Sequence, residues 1–268
     1  MVNVIKSTGE KQEFSEEKLR VSIQRAGVPN ELQDECIQHI KLKLYEGIPT
    51  FEIYKHVNEF LGNSTHPYTR AKYSLKQGIM DLGPTGYPFE DYISEILKME
   101  GYETMVRQIL QGKCITHEID IVAKKDNVSA MIECKFHNSP GTRSQVHVSL
   151  YTKARFDDVK EKNNFTDAWL ITNTKITKDA LDYAICSNMK VISWDYPEKE
   201  NLRDLIEKHK LHPITSLANI SQNQKQILAQ NHVDLAKDVC INPSSLDILG
   251  LPTDKKNSIL SECQFVYS

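Results

Sequence analysis

The order of apolar and polar positions between residues 84 and 197 predicts a mixed α/β domain. From Gly86 to Leu97 the apolar residues recur at helical spacing, with Pro88 near the start and acids in the first turn, which is typical of an amphipathic helix. Shorter apolar runs that alternate with polar residues predict strands. The full order is α-β-β-β-α-β-α-β, with the later elements at 105–110, around Asp120, around Glu133, and at 144–162, 167–172, 178–187 and 190–194.

The first eighty residues predict a small hairpin followed by four helices. Two short strands at 2–6 and 11–14 are joined by a turn that Gly9 closes. Ser15 is expected to cap the first helix and Thr50 the third, since both precede runs with apolar residues at helical spacing. The other two helices are expected at 31–44 and 68–82.

The last seventy residues predict an all-α domain. A charged helix is expected at 198–211, and one or two more between 215 and 239. The segment 247–251, followed by Lys255 and Lys256, resembles a helix-hairpin-helix, in which hairpin amides and lysines hold a DNA phosphate. An ordinary packing turn or a dimerisation element would have the same sequence pattern.

Two carboxylates and a lysine interrupt the apolar strands of the central segment. Because side chains alternate along a strand, Glu133 and Lys135 point away from Ile132 and Cys134. The polar turn 124–127 is suited to a hairpin that would bring Asp120 beside them. Carboxylate oxygens suit Mg²⁺ or Mn²⁺, and such an ion activates water and polarises a phosphoryl group. The same three residues on an exposed strand pair would form only a hydrated polar face.

Residues 84 to about 197 resemble the Mrr-like branch of the PD-(D/E)xK restriction endonucleases, through the Phe-Glu helix, the Asp strand, the ExK strand and a helix with an early glutamine. The resemblance implies a restriction-endonuclease-like α/β/α core with a mixed sheet. It implies two carboxylates and one main-chain carbonyl as metal ligands, a catalytic lysine, a helix acid near the metal and a supporting glutamine; these are Asp120, Glu133, the Cys134 carbonyl, Lys135, Glu90 and Gln145.

One departure from that family concerns the metal ligands. Family members tend to have glycines just before the aspartate, whereas this chain has Thr116, His117 and Glu118. Glu118 shares the strand face of Asp120 and is therefore a further candidate ligand. His117 points the other way and is expected to be a surface histidine.

Residues 2 to 83 resemble an ATP-cone, the nucleotide-sensing module of many ribonucleotide reductases. The motif VxK-x-x-G-x-x-x-x-F-x-x-x-K-L and the final R-x-x-Y-x-x-K helix support this resemblance. It implies an allosteric site for ATP or dATP in which lysines meet phosphates. The implied residues are Lys6, Gly9, Lys18, Arg70 and Lys76. Ser7 and Tyr54 replace a basic residue and a histidine that cones often have, so the choice between ATP and dATP stays open.

Composition limits the kinds of partner. The formal net charge of the 268 residues is −3, so nucleic acid must be bound by local patches. Six cysteines without a CxxC pair argue against a zinc ribbon and are compatible with a reducing cytoplasm, and the sequence has neither a signal peptide nor a long apolar run. Each candidate basic patch for nucleic acid could also be an ordinary solvated face. The candidate patches are Lys113 with Lys124 and Lys125; Arg143, Lys153, Arg155, Lys160 and Lys162; and Lys255 with Lys256.

These observations predict three domains: an ATP-cone at 1–83, an endonuclease domain at 84–197 and a helical domain at 198–268. The expected protein is a cytoplasmic, Mg²⁺-dependent nuclease that acts on double-stranded DNA and responds to ATP or dATP. Cleavage of two strands favours a homodimer or higher homo-oligomer, with no membrane partner. The alternatives are a nucleotide-responsive DNA-binding regulator whose nuclease fold is inactive, and a DNA repair nuclease.

Overall fold

The computed structural model describes residues 2–139 and 141–268, which form two compact units. Residues up to 79 form one unit together with residues 210–268, and residues 80–209 form the other. The predicted cone and the predicted C-terminal domain therefore share one unit. No helix in the described part of the chain combines the length and the apolar run needed to cross a bilayer.

The amino-terminal part has three short strands and five helices. Strand β1 pairs antiparallel with β2 and parallel with β3. The short strand β3 was not predicted from the sequence. Gly9, at φ +82°, closes the predicted β1–β2 turn. The elements are β1 (Asn3–Ile5), β2 (Lys11–Glu13), α1 (Glu16–Arg25), α2 (Asn30–Lys43), β3 (Ile48–Pro49), α3 (Thr50–Gly62), α4 (Thr69–Tyr73) and α5 (Leu75–Met80).

Two helix boundaries differ from the prediction. Ser15 caps α1 as expected and accepts the Lys18 amide at 3.2 Å, but Pro49 precedes α3 and Thr50 makes no cap. The single helix predicted at 68–82 is broken at Ser74. The Ser74 hydroxyl donates to Asn58 at 2.9 Å and accepts from Tyr54 at 3.1 Å, so contacts with α3 set the position of the break.

The second unit contains a five-stranded mixed sheet in the order β10-β8-β6-β5-β4. Strands β6, β8 and β10 run parallel, whereas β4, β5 and β6 form an antiparallel meander. A separate two-stranded parallel pair joins β7 and β9. The elements are α6 (Tyr87–Met99), β4 (Glu103–Gln111), β5 (Thr116–Lys125), β6 (Val128–Lys135), β7 (Arg143–Ser144), α7 (Val146–Asn163), β8 (Asp167–Thr172), β9 (Lys175–Ile176), α8 (Lys178–Cys186), β10 (Lys190–Ile192) and α9 (Leu202–Lys208).

Helices cover both faces of this sheet, as the predicted α/β/α core requires. Helices α7 and α8 share a buried cluster with β8 and β10; it contains Val148, Ala168, Leu170, Ala184 and Val191. On the opposite face, Phe89 of α6 lies 5.5 Å from the ring of Phe136, which follows β6. The amino-terminal turn of α6 therefore lies near the carboxyl end of β6.

The predicted hairpin between β5 and β6 is present, and its turn consists of Asp126 and Asn127. Asp126 adopts φ +51°, which suits a tight hairpin turn. The last paired residues are Ile121 and Ile132, and beyond them the strands separate. Asp120 bridges the gap, because its Oδ2 accepts the Cys134 amide at 2.7 Å.

The carboxyl-terminal segment is all-α, as predicted. It contains 3₁₀ turns at Ile214–Ser216 and Pro243–Leu249 and the helices α10 (Gln222–Gln230), α11 (Ala236–Ile241) and α12 (Thr253–Tyr267). Helix α12 packs against α4. The ring of Phe265 lies 6.3 Å from the ring of Tyr68, and the Lys72 ammonium lies 4.8 Å from the centre of the Phe265 ring. Ala71 of α4 belongs to the same buried cluster as Cys263.

A buried carboxylate stabilises this segment. Glu262 has no exposed surface, and it accepts the amides of Ala218 at 2.8 Å and Asn219 at 2.9 Å. Burial raises the pKa of Glu262, whereas those amides and the charge of Arg70 lower it. The Glu262 carboxylate, which belongs to α12, thus holds the loop that precedes α10.

Replacing Glu262 with alanine is expected to destabilise the protein by about 2–4 kcal/mol, because two part-buried backbone amides lose their acceptor and a fully buried side chain is removed. Chemical denaturation monitored by circular dichroism would measure the loss. Glu35→Ala, which removes an exposed acid from α2, is the control and is expected to change stability by about 0.5 kcal/mol or less. Equal stabilities of the two variants would contradict the role assigned to Glu262.

Candidate active site

Three carboxylates and a lysine converge where β5 and β6 separate. Asp120 is on β5, Glu133 and Lys135 are on β6, and Glu90 is in the first turn of α6. The charge of Asp120 raises the pKa of both Glu133 and Glu90, and the charge of Lys135 lowers that of Glu133. These mutual effects place the four predicted residues within electrostatic reach of one another.

Burial dominates the acidity of the carboxylates. It raises the pKa of Glu133 to about 7, with a further contribution from Asp120, while Arg155 and Lys135 oppose the rise. The pKa of Glu90 is raised to about 6, again mainly by burial and then by Asp120. Burial also raises the pKa of Asp120, against the Cys134 amide and Arg155. A divalent cation would relieve the cost of ionising these crowded acids.

The residues fit Mg²⁺ or Mn²⁺ as hard oxygen donors. Asp120 uses Oδ2 for the Cys134 amide and offers Oδ1, while Glu133 and the Cys134 carbonyl lie on the adjoining strand. No group of three or more His, Cys, Asp or Glu side chains in residues 2–139 and 141–268 is arranged as a metal site. Two carboxylates and one carbonyl nevertheless suit Mg²⁺, since this ion retains several waters.

Arg155 is an unpredicted member of this site. It is 8% exposed and forms an ion pair with Glu133 through Nη1. From the sequence, Arg155 was assigned to a candidate basic patch for nucleic acid, with a solvated face as the alternative; its burial excludes the solvated alternative for this residue. A signal was available: Arg155 falls on the buried stripe of α7, which also contains Val148, Thr152 and Val159.

Arg107 supports Glu90 from the edge strand. Its backbone adopts φ +51° within β4, an uncommon conformation for a residue with a Cβ. Its guanidinium lies 2.8 Å from Asp91 and 3.3 Å from Glu90. The unusual backbone thus accompanies a pair of contacts to the first turn of α6, which fix the helix acid beside the site.

A cleft of about 400 Å³ opens beside Glu133 and Lys135. It is lined by Pro84, Gly86, Glu133, Cys134, Lys135, Phe136, His137, Asn138, Ser139 and Thr142. Asn173, which is fully buried after β8, fixes this wall: it accepts the His137 amide at 2.9 Å and donates to the His137 carbonyl at 2.7 Å. The role of Asn173 was not predictable from the sequence, because it depends on contacts between strand ends.

Gln145, His117 and Glu118 are the remaining residues that the sequence offered as candidates for the site. Gln145 is the exposed residue that precedes α7. His117 is only 12% exposed and pairs with Asp158 at 2.8 Å, so it is bound within the fold rather than free on the surface. Glu118 is exposed, and its charge raises the pKa of Asp120, so it lies near the metal ligands.

The predicted nucleotide residues lie in the first unit. Lys6 pairs with Glu10 at 3.1 Å across the hairpin turn at Gly9, and Lys18 is exposed in the first turn of α1. Lys76 is in α5. Arg70 of α4 packs so closely on Gly62 that a Cβ there would lie 2.7 Å from its Nη1. The roles of these residues in nucleotide binding therefore remain predictions.

The hairpin-like turn near the carboxyl terminus is present, with Gly250 at φ +60°. Of the two lysines expected to hold a phosphate there, Lys256 pairs with Asp247 at 2.7 Å. Lys255 is exposed. A DNA contact by this turn therefore stays a prediction.

Comparisons with known proteins agree with the class of protein that this fold and site define. Residues 84–202 match the family described as "Restriction endonuclease", and residues 2–78 match "ATP cone domain". The predicted fusion of a nucleotide-sensing module to an Mrr-like endonuclease domain is thereby confirmed. The last part of the chain, residues 212–266, matches "AF1548-like, C-terminal".

The chain belongs to the AF1548-like family. It is 37% identical over 174 residues to an uncharacterized protein of Archaeoglobus fulgidus, a match that covers 65% of this chain and 99% of that protein. A crystal structure titled "Protein of Unknown Function AF1548" is 35% identical and superposes with a TM-score of 0.57, over 68% of this chain and 98% of that one. About a third of this chain thus lies outside each match.

Proposed function

We propose that the protein is a Mg²⁺-dependent or Mn²⁺-dependent endonuclease that hydrolyses phosphodiester bonds in double-stranded DNA. The observation that supports this proposal most is the convergence of Asp120, Glu133 and Lys135 beside an open cleft at the separated ends of β5 and β6. Glu90 adds a third carboxylate on the α6 side. The comparisons support a restriction endonuclease domain at the same residues.

Each residue has a chemical task in this reaction. Asp120, Glu133 and the Cys134 carbonyl would hold the ion, which when bound activates water and neutralises charge on the phosphoryl group. The Lys135 ammonium would orient the attacking water and stabilise the negative charge that develops on phosphate oxygens. Glu90, steadied by Arg107, would accept hydrogen bonds from waters around the ion.

Cleavage assays on plasmid DNA test this proposal. Supercoiled plasmid, methylated and unmethylated, would be incubated with the full chain and Mg²⁺, and with EDTA as the control. Nicked or linear products that require the metal are expected. Retarded migration of the DNA in a gel-shift assay, without any cleavage, would instead favour the DNA-binding regulator. Cleavage confined to branched or damaged DNA would favour a repair nuclease.

We infer that ATP or dATP bound to the cone regulates this nuclease. Exposed Lys18, at the start of α1, and Lys6, beside the Gly9 turn, offer point charges for phosphates, and the cone family supports nucleotide binding. Two copies of the chain would let paired sites cut both strands. Light scattering with and without nucleotide would measure the assembly.

Lys18→Ala is expected to weaken ATP or dATP binding about tenfold, since a charge-assisted contact to a phosphate is lost. Isothermal titration calorimetry would measure the dissociation constant. Lys55→Ala, which removes an exposed lysine of α3, is the control and should bind as the unmodified chain does. Equal affinity for all three proteins would exclude Lys18 from the nucleotide site.

A further inference from the structure

Arg155 is held in the acid cluster with incomplete hydrogen bonding. Its side chain is 8% exposed, its Nη1 donates to Glu133, and its Nε is buried with no hydrogen-bond partner in the described structure. The guanidinium also lies 5.2 Å from the ring of Tyr151. Native proteins seldom leave a buried hydrogen-bond donor of a charged group unpaired. The arrangement therefore points to a ligand that supplies the missing acceptor.

Glu133 cannot serve Arg155 and a divalent cation equally well. Both cations would seek the same carboxylate in a buried setting, where charges of like sign repel more strongly than they do in water. Binding of the metal therefore weakens the ion pair between Glu133 and Arg155. The guanidinium, which is planar and rich in donors, then needs another oxyanion, and a phosphodiester is well matched to it.

We propose that Arg155 is an exchangeable counter-ion, which neutralises Glu133 in the metal-free protein and passes to a phosphate oxygen of DNA when Glu133 takes the metal. The proposal rests on the proposed nuclease function. Its consequence is ordered loading: metal binds weakly to the free protein and tightly once DNA has engaged Arg155. Arg155 is thereby a positioning residue for the metal ligand as well as a contact to DNA.

Two affinities of Arg155→Gln test this exchange because they are expected to change in opposite directions. Without DNA and at about pH 8, Mn²⁺ affinity, measured by calorimetry or electron paramagnetic resonance, is expected to rise about tenfold, since the competing cation is gone. With Ca²⁺ in place of Mg²⁺, affinity for a fluorescent duplex, measured by anisotropy, is expected to fall about tenfold, since a phosphate contact is lost. A residue with a purely structural role would weaken both.

Matched variants separate the exchange from general effects of charge. Lys178→Gln removes a cation from a surface ion pair with Asp182 on α8 and is expected to leave both affinities within twofold. Arg155→Lys keeps the charge without the planar fork and is expected to bind Mn²⁺ nearly as the unmodified chain does but to bind DNA more weakly. Should the glutamine variant fail to fold by circular dichroism, the lysine variant provides the DNA comparison.

Unchanged or weaker Mn²⁺ binding by a folded Arg155→Gln variant would overturn the proposal, as would unchanged DNA binding. Failure of the nuclease function gives a different result. In that case the unmodified chain would leave DNA intact with Mg²⁺, while the DNA-free Mn²⁺ titration would still report whether Arg155 competes for Glu133.

Discussion

Asp120→Asn and Lys135→Met are each expected to lower the rate of Mg²⁺-dependent DNA cleavage by about 10²–10³-fold, the usual cost of removing one charged group from a transition state. Asparagine keeps an oxygen that can accept the Cys134 amide, so the junction of β5 and β6 should persist while the metal loses a carboxylate. Methionine retains the length of Lys135 without its charge. Initial rates on supercoiled plasmid would measure both effects.

Glu103→Gln is the matched control for these two variants, because it removes an exposed acid from the edge strand β4. Its cleavage rate should stay within about twofold of the unmodified chain, as expected for a surface change remote from the acids. Circular dichroism would establish that all three variants fold. Full activity in folded Asp120→Asn would refute the assignment of Asp120 as a metal ligand.

Mn²⁺ affinity is expected to rise steeply with pH, by up to about tenfold per unit between pH 5 and 7, because a proton on Glu133 competes with the metal. The pKa of Glu133 is raised to about 7 and that of Glu90 to about 6, in both cases chiefly by burial. Calorimetric titrations at half-unit pH intervals would follow the change. Affinity that does not vary between pH 5 and 7 would contradict an ionised Glu133 as ligand.

The same raised pKa predicts the opposite trend for the metal-free protein. Since Glu133 binds its proton more tightly in the folded chain, its stabilising contribution is complete below pH 4.5 and is lost as pH rises through about 7. The loss is of the order of 3 kcal/mol, so the unfolding temperature in EDTA should fall between pH 5 and 8. Glu133→Gln should reduce that fall, and Glu90, whose pKa is also raised, accounts for part of the remainder. Asp158 does not interfere, because its pKa is lowered and its contribution is constant in this range.

Local sequence patterns were sufficient to predict the elements that place the carboxylates. The strand at Asp167–Thr172 has its predicted bounds, and the hairpin of β5 and β6 follows from alternation around a polar turn. The convergence of Asp120 with Glu133 needed only the two-residue period of a strand and a tight turn. Side chains whose spacing is fixed within one hairpin are therefore predictable from the sequence.

Features that depend on distant contacts were not predictable in this way. The break at Ser74 is set by hydrogen bonds to Tyr54 and Asn58 on another helix. The burial of Arg155 is set by Glu133, 22 residues earlier in the chain. An arginine and a serine have ordinary helical propensity, so neither residue type reveals these roles without the fold.

The packing of α4 on α12 has a consequence for how the chain can be divided. Tyr68 and Ala71, near the end of the cone, meet Phe265 and Cys263 near the carboxyl terminus. A fragment that ends at residue 83 would expose these apolar side chains to water. Its melting curve would then report the stability of a protein with a newly exposed hydrophobic surface, not that of the cone in the full chain. The first and last segments are therefore expected to unfold in one cooperative transition, and in the sequence the domain of the restriction endonuclease family separates the two parts of one compact unit.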